Sequence, residues 1–158
     1  MHPYQPAMKK IFILLLFLFL LTGCSNNARK ACFNEKCFNI ELAVTEQERT
    51  IGLMNRTFLD ADKGMLFIFP SEGIYSFWMK DTLIPLDMIW INTDYEIVHI
   101  KENALPCNLF TKKLNQKNEE CEIFTPNKEA KYVLEINSGL SKKYDIKVND
   151  KINFNNEN

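Results

Sequence analysis

Histidine is nearly missing from this 158-residue chain: there are two, and one of them, His2, stands at the start. Sites built from several imidazoles are thereby excluded. Glycine is scarce as well, five in all, too few for a glycine-rich loop that cradles phosphate. Neither sign of charge dominates: 19 Lys and Arg face 20 Asp and Glu, and the basic residues form no long block. The chain therefore lacks the positive field that grips nucleic acid. No nucleophile elbow occurs, and His99 alternates with Tyr95 and Ile97 as an ordinary sheet residue does, not as the base of a triad. The apolar run Ile11 to Leu21 has eleven residues, against the ~20 that a membrane-spanning helix needs.

That short run is informative by its flanks. Lys9 and Lys10 precede it, giving a basic segment followed by an apolar one, the pattern of an export signal. Leu21-Thr22-Gly23-Cys24 follows and resembles the bacterial lipobox, which implies cleavage before Cys24 and acylation of its thiol. The competing reading is an uncleaved anchor with an incidental cysteine. Met8 is a second candidate start. Cleavage removes Lys9 and Lys10, leaving 17 basic and 20 acidic residues and a net charge of −3. Ser25 after the cysteine, where Asp would resemble an inner-membrane retention signal, favours the outer membrane if the cell has one. Three regions are expected: a signal peptide over 1–23, an acylated Cys24 with a polar tether over 24–35, and one domain over 36–158.

Four further cysteines, Cys32, Cys37, Cys107 and Cys121, form an even set in an exported chain, which points to two disulfides. Three pairings are possible. The local one, Cys32–Cys37 with Cys107–Cys121, is favoured over the others. A four-thiolate zinc site is the rival, but it needs reduced thiols and tighter spacing. Met54, Met65, Met79 and Met88 sit inside apolar runs and read as core, not as a copper(I) site. No cofactor or metal is expected.

Hydrophobic patterning predicts mostly strands. They are Lys36 to Val44, Gly64 to Phe69, Tyr75 to Lys80, Leu86 to Asn92, Tyr95 to Ile100, Tyr132 to Asn137 and Ile152 to Phe154. Thr45-Glu46-Gln47-Glu48 matches a capping box, so a helix should run from Glu46 to about Asn55 with Arg49, Gly52 and Arg56 on one stripe. A second short helix fits Ser138 to Tyr144. Glu102 to Lys131 is a long polar loop without period. The fold class is mainly β: a sandwich or open barrel of about seven strands with two short helices.

Five runs occur in order: Arg49-Thr50-Ile51-Gly52-Leu53-Met54-Asn55-Arg56, Gly64-Met65-Leu66-Phe67-Ile68-Phe69, Phe77-Trp78-Met79-Lys80-Asp81-Thr82, Pro85-Leu86-Asp87-Met88 and Tyr132-Val133-Leu134-Glu135-Ile136-Asn137-Ser138-Gly139. Together they resemble the family called domain of unknown function 192, across Phe38 to Phe154. The family pattern usually has Asn at the position of Asp81, often Ala at that of Ser138, and Gly at that of Asn149. The resemblance implies a single, mostly β, often exported domain. It brings no activity and no catalytic assignment.

The segment Phe77 to Asp87 gathers aromatic and charged side chains, as a site for a polar ligand such as a glycan or peptide does. Trp78, Lys80, Asp81 and Asp87, completed by Arg49 and Arg56, are the candidate ligand-binding residues. The structural alternative has Arg49 or Arg56 paired with Asp87, tying helix to sheet, while Trp78 fills the core. Two functions follow. The first is an envelope lipoprotein, held in the membrane through Cys24, that binds a small ligand or an envelope protein and no nucleic acid. The second is an envelope hydrolase using Asp81 or Asp87 with Lys80. Glu135 enters as a third carboxylate that a glycosidase could pair with either Asp.

Overall fold

The computed structural model describes residues 29–107 and 121–156. The signal segment, Cys24 and the middle of the polar loop lie outside the described residues. The elements in chain order are β1 Arg29–Phe33, β2 Lys36–Ala43, α1 Glu46–Ile51, β3 Lys63–Gly73, β4 Phe77–Trp78, β5 Leu86–Ile91, β6 Ile97–Ala104, β7 Ile123–Phe124, β8 Ala130–Asn137, α2 Leu140–Lys143 and β9 Asn153–Asn156. Seven strands form one sheet in the order β6-β5-β8-β3-β2-β1-β9, and β4 pairs with β7 in a separate ribbon. The sheet curls until the residues before its two outer strands meet: Glu96 bridges Lys151, and the Ile152 N–H donates to the Tyr95 carbonyl at 2.9 Å. The mainly β expectation holds, in the form of an open barrel.

The pairing of β2 with β3 is parallel, and parallel neighbours need a crossover between them. Residues 44–62, including α1, supply it. Thr45 caps α1 by the expected reciprocal arrangement, its hydroxyl accepting from the Glu48 N–H while the Glu48 carboxylate accepts from the Thr45 and Val44 N–H groups. Those amides hold the Glu48 carboxyl below the usual carboxylate range. The helix stops at Gly52, earlier than Asn55, because Gly52 adopts a φ of +47°. A Cβ there would lie 3.0 Å from the Phe67 ring, so glycine lets the chain leave the helix directly over that ring.

Alternation along the strands divides two cores between the faces of the sheet. One face packs Met65, Phe67, Met88, Trp90 and Val133 under Leu53, Leu59 and Met79. The other packs Leu66, Ile89, Ile91, Leu134 and Ile136 with Phe38 and Ile97. Met65, Met79 and Met88 are core residues, as their runs suggested.

Three differences from the sequence reading have physical causes. Arg29 to Phe33, placed in the tether, forms β1 between β2 and β9. Its polar start hid the strand, and its partners lie across a two-residue turn at Asn34 (φ +50°) and far along the chain. The strand expected over Tyr75 to Lys80 shrinks to Phe77–Trp78, because a turn closes at once: the Thr82 N–H donates to the Met79 carbonyl, and Asp81 has a φ of +53°. The long polar loop contains β7, whose two residues are too few to show a period. Both disulfides form as favoured, Cys32–Cys37 directly across the β1–β2 hairpin and Cys107–Cys121 just before β7. The second therefore holds β7 where it pairs with β4.

Candidate functional site

The structure separates the six expected site residues. Asp87 on β5 is fully buried and enclosed. One carboxylate oxygen accepts the Asn103 N–H at 2.9 Å; the other accepts the Ser141 N–H at 3.0 Å and the Ser141 hydroxyl at 2.5 Å. No arginine reaches it, which corrects the helix-to-sheet ion pair: hydrogen-bond donors from the end of β6 and from α2 satisfy this charge. Arg56 turns to Glu41 instead, in a two-pronged pair at 2.6 and 3.0 Å on the surface. Asp81 is exposed in its turn.

Arg49, Trp78 and Lys80 do converge. The Arg49 guanidinium donates to the carbonyls of Val44 and Ile68 and lies 5.2 Å over the Phe69 ring, which stacks on Tyr75. Trp78 does not fill the core; it is 49% exposed. The core indole is Trp90, fully buried, its N–H donating to the Tyr75 carbonyl at 2.8 Å. Lys80 stands with its ammonium 5.3 Å from the Trp78 ring centre. Phe77 anchors this short strand edge-on against Phe67 and Trp90, at 4.9 and 5.8 Å between ring centres. The ring of Phe77 thus goes inward and that of Trp78 outward, as alternation requires.

Two adjoining hollows share Arg49, Thr50, Phe77 and Trp78. The larger, about 480 Å³, lies toward Phe69 and Tyr75. The smaller, about 40 Å³, lies toward Gly52 and Lys80 and ends on Glu135. Glu135 is the residue that sequence reasoning placed in the wrong company. It is 5% exposed, on β8 between Met65 of β3 and Met88 of β5 in the sheet register. Burial alone pushes its carboxyl up to about 8. The available signal was a single acid inside the apolar run Tyr132 to Ile136, in phase with Val133.

The same register puts Asp87 opposite Ile136. Asp87 and Glu135 therefore point to opposite faces of the sheet, and Asp81 stands exposed in its turn. Asp87 and Glu135 thus do not form the carboxylate pair of a glycosidase, and nothing in the fold supports the hydrolase expectation.

The model of the domain of unknown function 192 family, described as "Uncharacterized ACR", matches residues 29–154. The chain belongs to that family. A prokaryotic membrane lipoprotein lipid attachment site matches residues 8–25, which contain Cys24. Two solved structures resemble this domain-192 protein. One is a protein of unknown function from Novosphingobium aromaticivorans, 31% identical, covering 80% of this chain and 83% of its own, with a TM-score of 0.67. The other, from Sinorhizobium meliloti, is described as a "putative transcription regulator"; it is 30% identical, covers 84% of this chain and 98% of its own, and has a TM-score of 0.68. The curated proteins give no match.

Proposed function

We propose that this member of the family is an envelope lipoprotein whose β domain binds a small ligand in the cleft between α1, β4 and β8. Acylated Cys24 anchors it outward of the cytoplasmic membrane, on the outer membrane where the cell has one. The observation that carries the reading is Trp78: a half-exposed indole at the end of a two-residue strand, beside a lysine whose ammonium has no acidic partner among the described residues. Large aromatic side chains are kept at a surface beside unneutralised cations where a ligand supplies the missing contacts. Arg49 belongs to the same wall. Asp81, Asp87 and Arg56 are left to the fold and the surface.

The two tryptophans make the test direct, since Trp90 is sealed and Trp78 is not. Quenching by iodide should act on Trp78 emission and vanish in Trp78→Phe. Titrating small polar ligands while reading that emission should find at least one that shifts it in the wild type and not in the variant. Shifts that persist in Trp78→Phe would place binding elsewhere. Anchoring has its own test: Cys24→Ser should move the protein from the membrane to the soluble fraction and abolish lipid labelling. A variant that stays membrane-bound and labelled would refute the lipoprotein reading.

A further inference from the structure

We propose that the ligand of this cleft is a small acidic ring compound, its oxyanion head seated among Lys80, Arg49 and the Glu135 carboxyl and its ring lying on Trp78. The inference rests on the ligand-binding reading above and deepens it.

Glu135 is the first reason. It is 95% removed from solvent, it lines the smaller hollow, and no hydrogen bond or ion pair reaches its carboxyl among the described residues. Among the described residues no side-chain nitrogen or oxygen is both shut off from solvent and without a partner. The Glu135 carboxyl oxygens, which make no hydrogen bond, therefore open on the hollow they line, where a ligand atom can meet them. The neighbours of Glu135 explain its protonation state. The β3 and β5 strands bring only Met65, Phe67 and Met88 against it, and the charged groups lining the same hollow are Arg49 and Lys80. Between an ordinary 4.5 and about 8, the carboxyl is neutral in the fold and carries a proton to donate.

The charge balance is the second reason. Neither Arg49 nor Lys80 forms an ion pair among the described residues. The hollow thus presents two cations and one neutral carboxyl donor. An ammonium ligand would meet like charges. An oxyanion can meet the Lys80 ammonium, the Arg49 guanidinium and the Glu135 proton, with the strong, charge-assisted hydrogen bonds that such cations form. Carboxylate and phosphate heads share this chemistry. The ring follows from the wall: half-exposed Trp78 offers an aromatic face on which a flat molecule stacks.

The test uses four probes that share one ring: benzoate, phenyl phosphate, benzamide and benzylammonium. Each is titrated at millimolar concentration into the protein from Ser25 onward, reading Trp78 emission from about pH 7 to 9.5. Benzoate, phenyl phosphate or both should bind more tightly than benzamide, and benzylammonium least; which head binds better identifies it. Above pH 8, affinity for the acidic probes should fall by about tenfold per unit as Glu135 loses its proton. Glu135→Gln, which keeps a donor at all pH values, should flatten that slope. Benzylammonium binding as tightly as the acids, or an equal slope in Glu135→Gln, would overturn the acidic ligand and leave the cleft as a binding site. Silence from all four probes would overturn both.

Discussion

Glu135→Gln should make the protein more stable, by about 5 kcal/mol at pH 9 and by almost nothing at pH 4. The sign follows from where the proton is held. In the unfolded chain Glu135 titrates at an ordinary 4.5; in the folded chain it titrates at about 8. The folded state therefore binds more protons between those values. Stability is complete below about pH 4.5 and falls as pH rises through the window to 8, by up to ~1.4 kcal/mol per unit. Glutamine has nearly the same shape and never ionises, so it removes the ionisation penalty, and its amide faces the same hollow as the carboxyl it replaces. Thermal melts of both proteins across pH 4 to 9 check the claim. Parallel curves would mean that the carboxyl is hydrated or paired in solution, and the neutral donor at the cleft floor would go with it.

The opposite face of the sheet carries the opposite expectation. Asp87→Ala should destabilise the domain by about 3–5 kcal/mol, enough to unfold much of a marginally stable population. The loss is larger than that of one contact. Asp87 holds the Asn103 N–H, the Ser141 N–H and the Ser141 hydroxyl, and alanine leaves all three without their acceptor, the two from Ser141 in a fully buried site. Chemical denaturation of the wild type, Asp87→Ala and the double variant Asp87→Ala/Ser141→Ala separates the parts. The double variant should lose less than the sum, since it removes one of the orphaned donors along with the acceptor. Trp78 emission in the folded fraction should be unchanged, because Asp87 lies across the sheet from the cleft. A drop below about 1 kcal/mol would show that Asp87 is not the joint between β5, β6 and α2.

These two acids show what the sequence could and could not convey. Both stand in apolar strands, and both drew attention for the same reason. Their fates were set by register, which places Asp87 beside Ile136 and Glu135 between Met65 and Met88. Register depends on pairing across a chain separation of about fifty residues or more, and periodicity does not encode it. Where the information is local, the reading was good. The capping box, the long strands and both disulfides all declare themselves within a few residues. Arg56 was lost to Glu41, fifteen positions away. Trp78 could be read either as a binding residue or as core filling, and only the short pairing of Phe77–Trp78 with β7, which sends the Phe77 ring inward, leaves Trp78 at the surface. β1 and β7 were missed for a related reason: each has its strand character conferred by a partner and a nearby cystine.

The position of β1 also limits where the protein can work. It begins at Arg29, five residues beyond Cys24. Five residues reach about 17 Å when fully drawn out. If Cys24 is acylated, as its attachment site implies, the β domain starts within about 17 Å of the bilayer surface. Its search is then nearly two-dimensional, and anything released at or held on the same membrane surface meets it at a raised local concentration. A molecule or protein fixed on a facing surface must come to it.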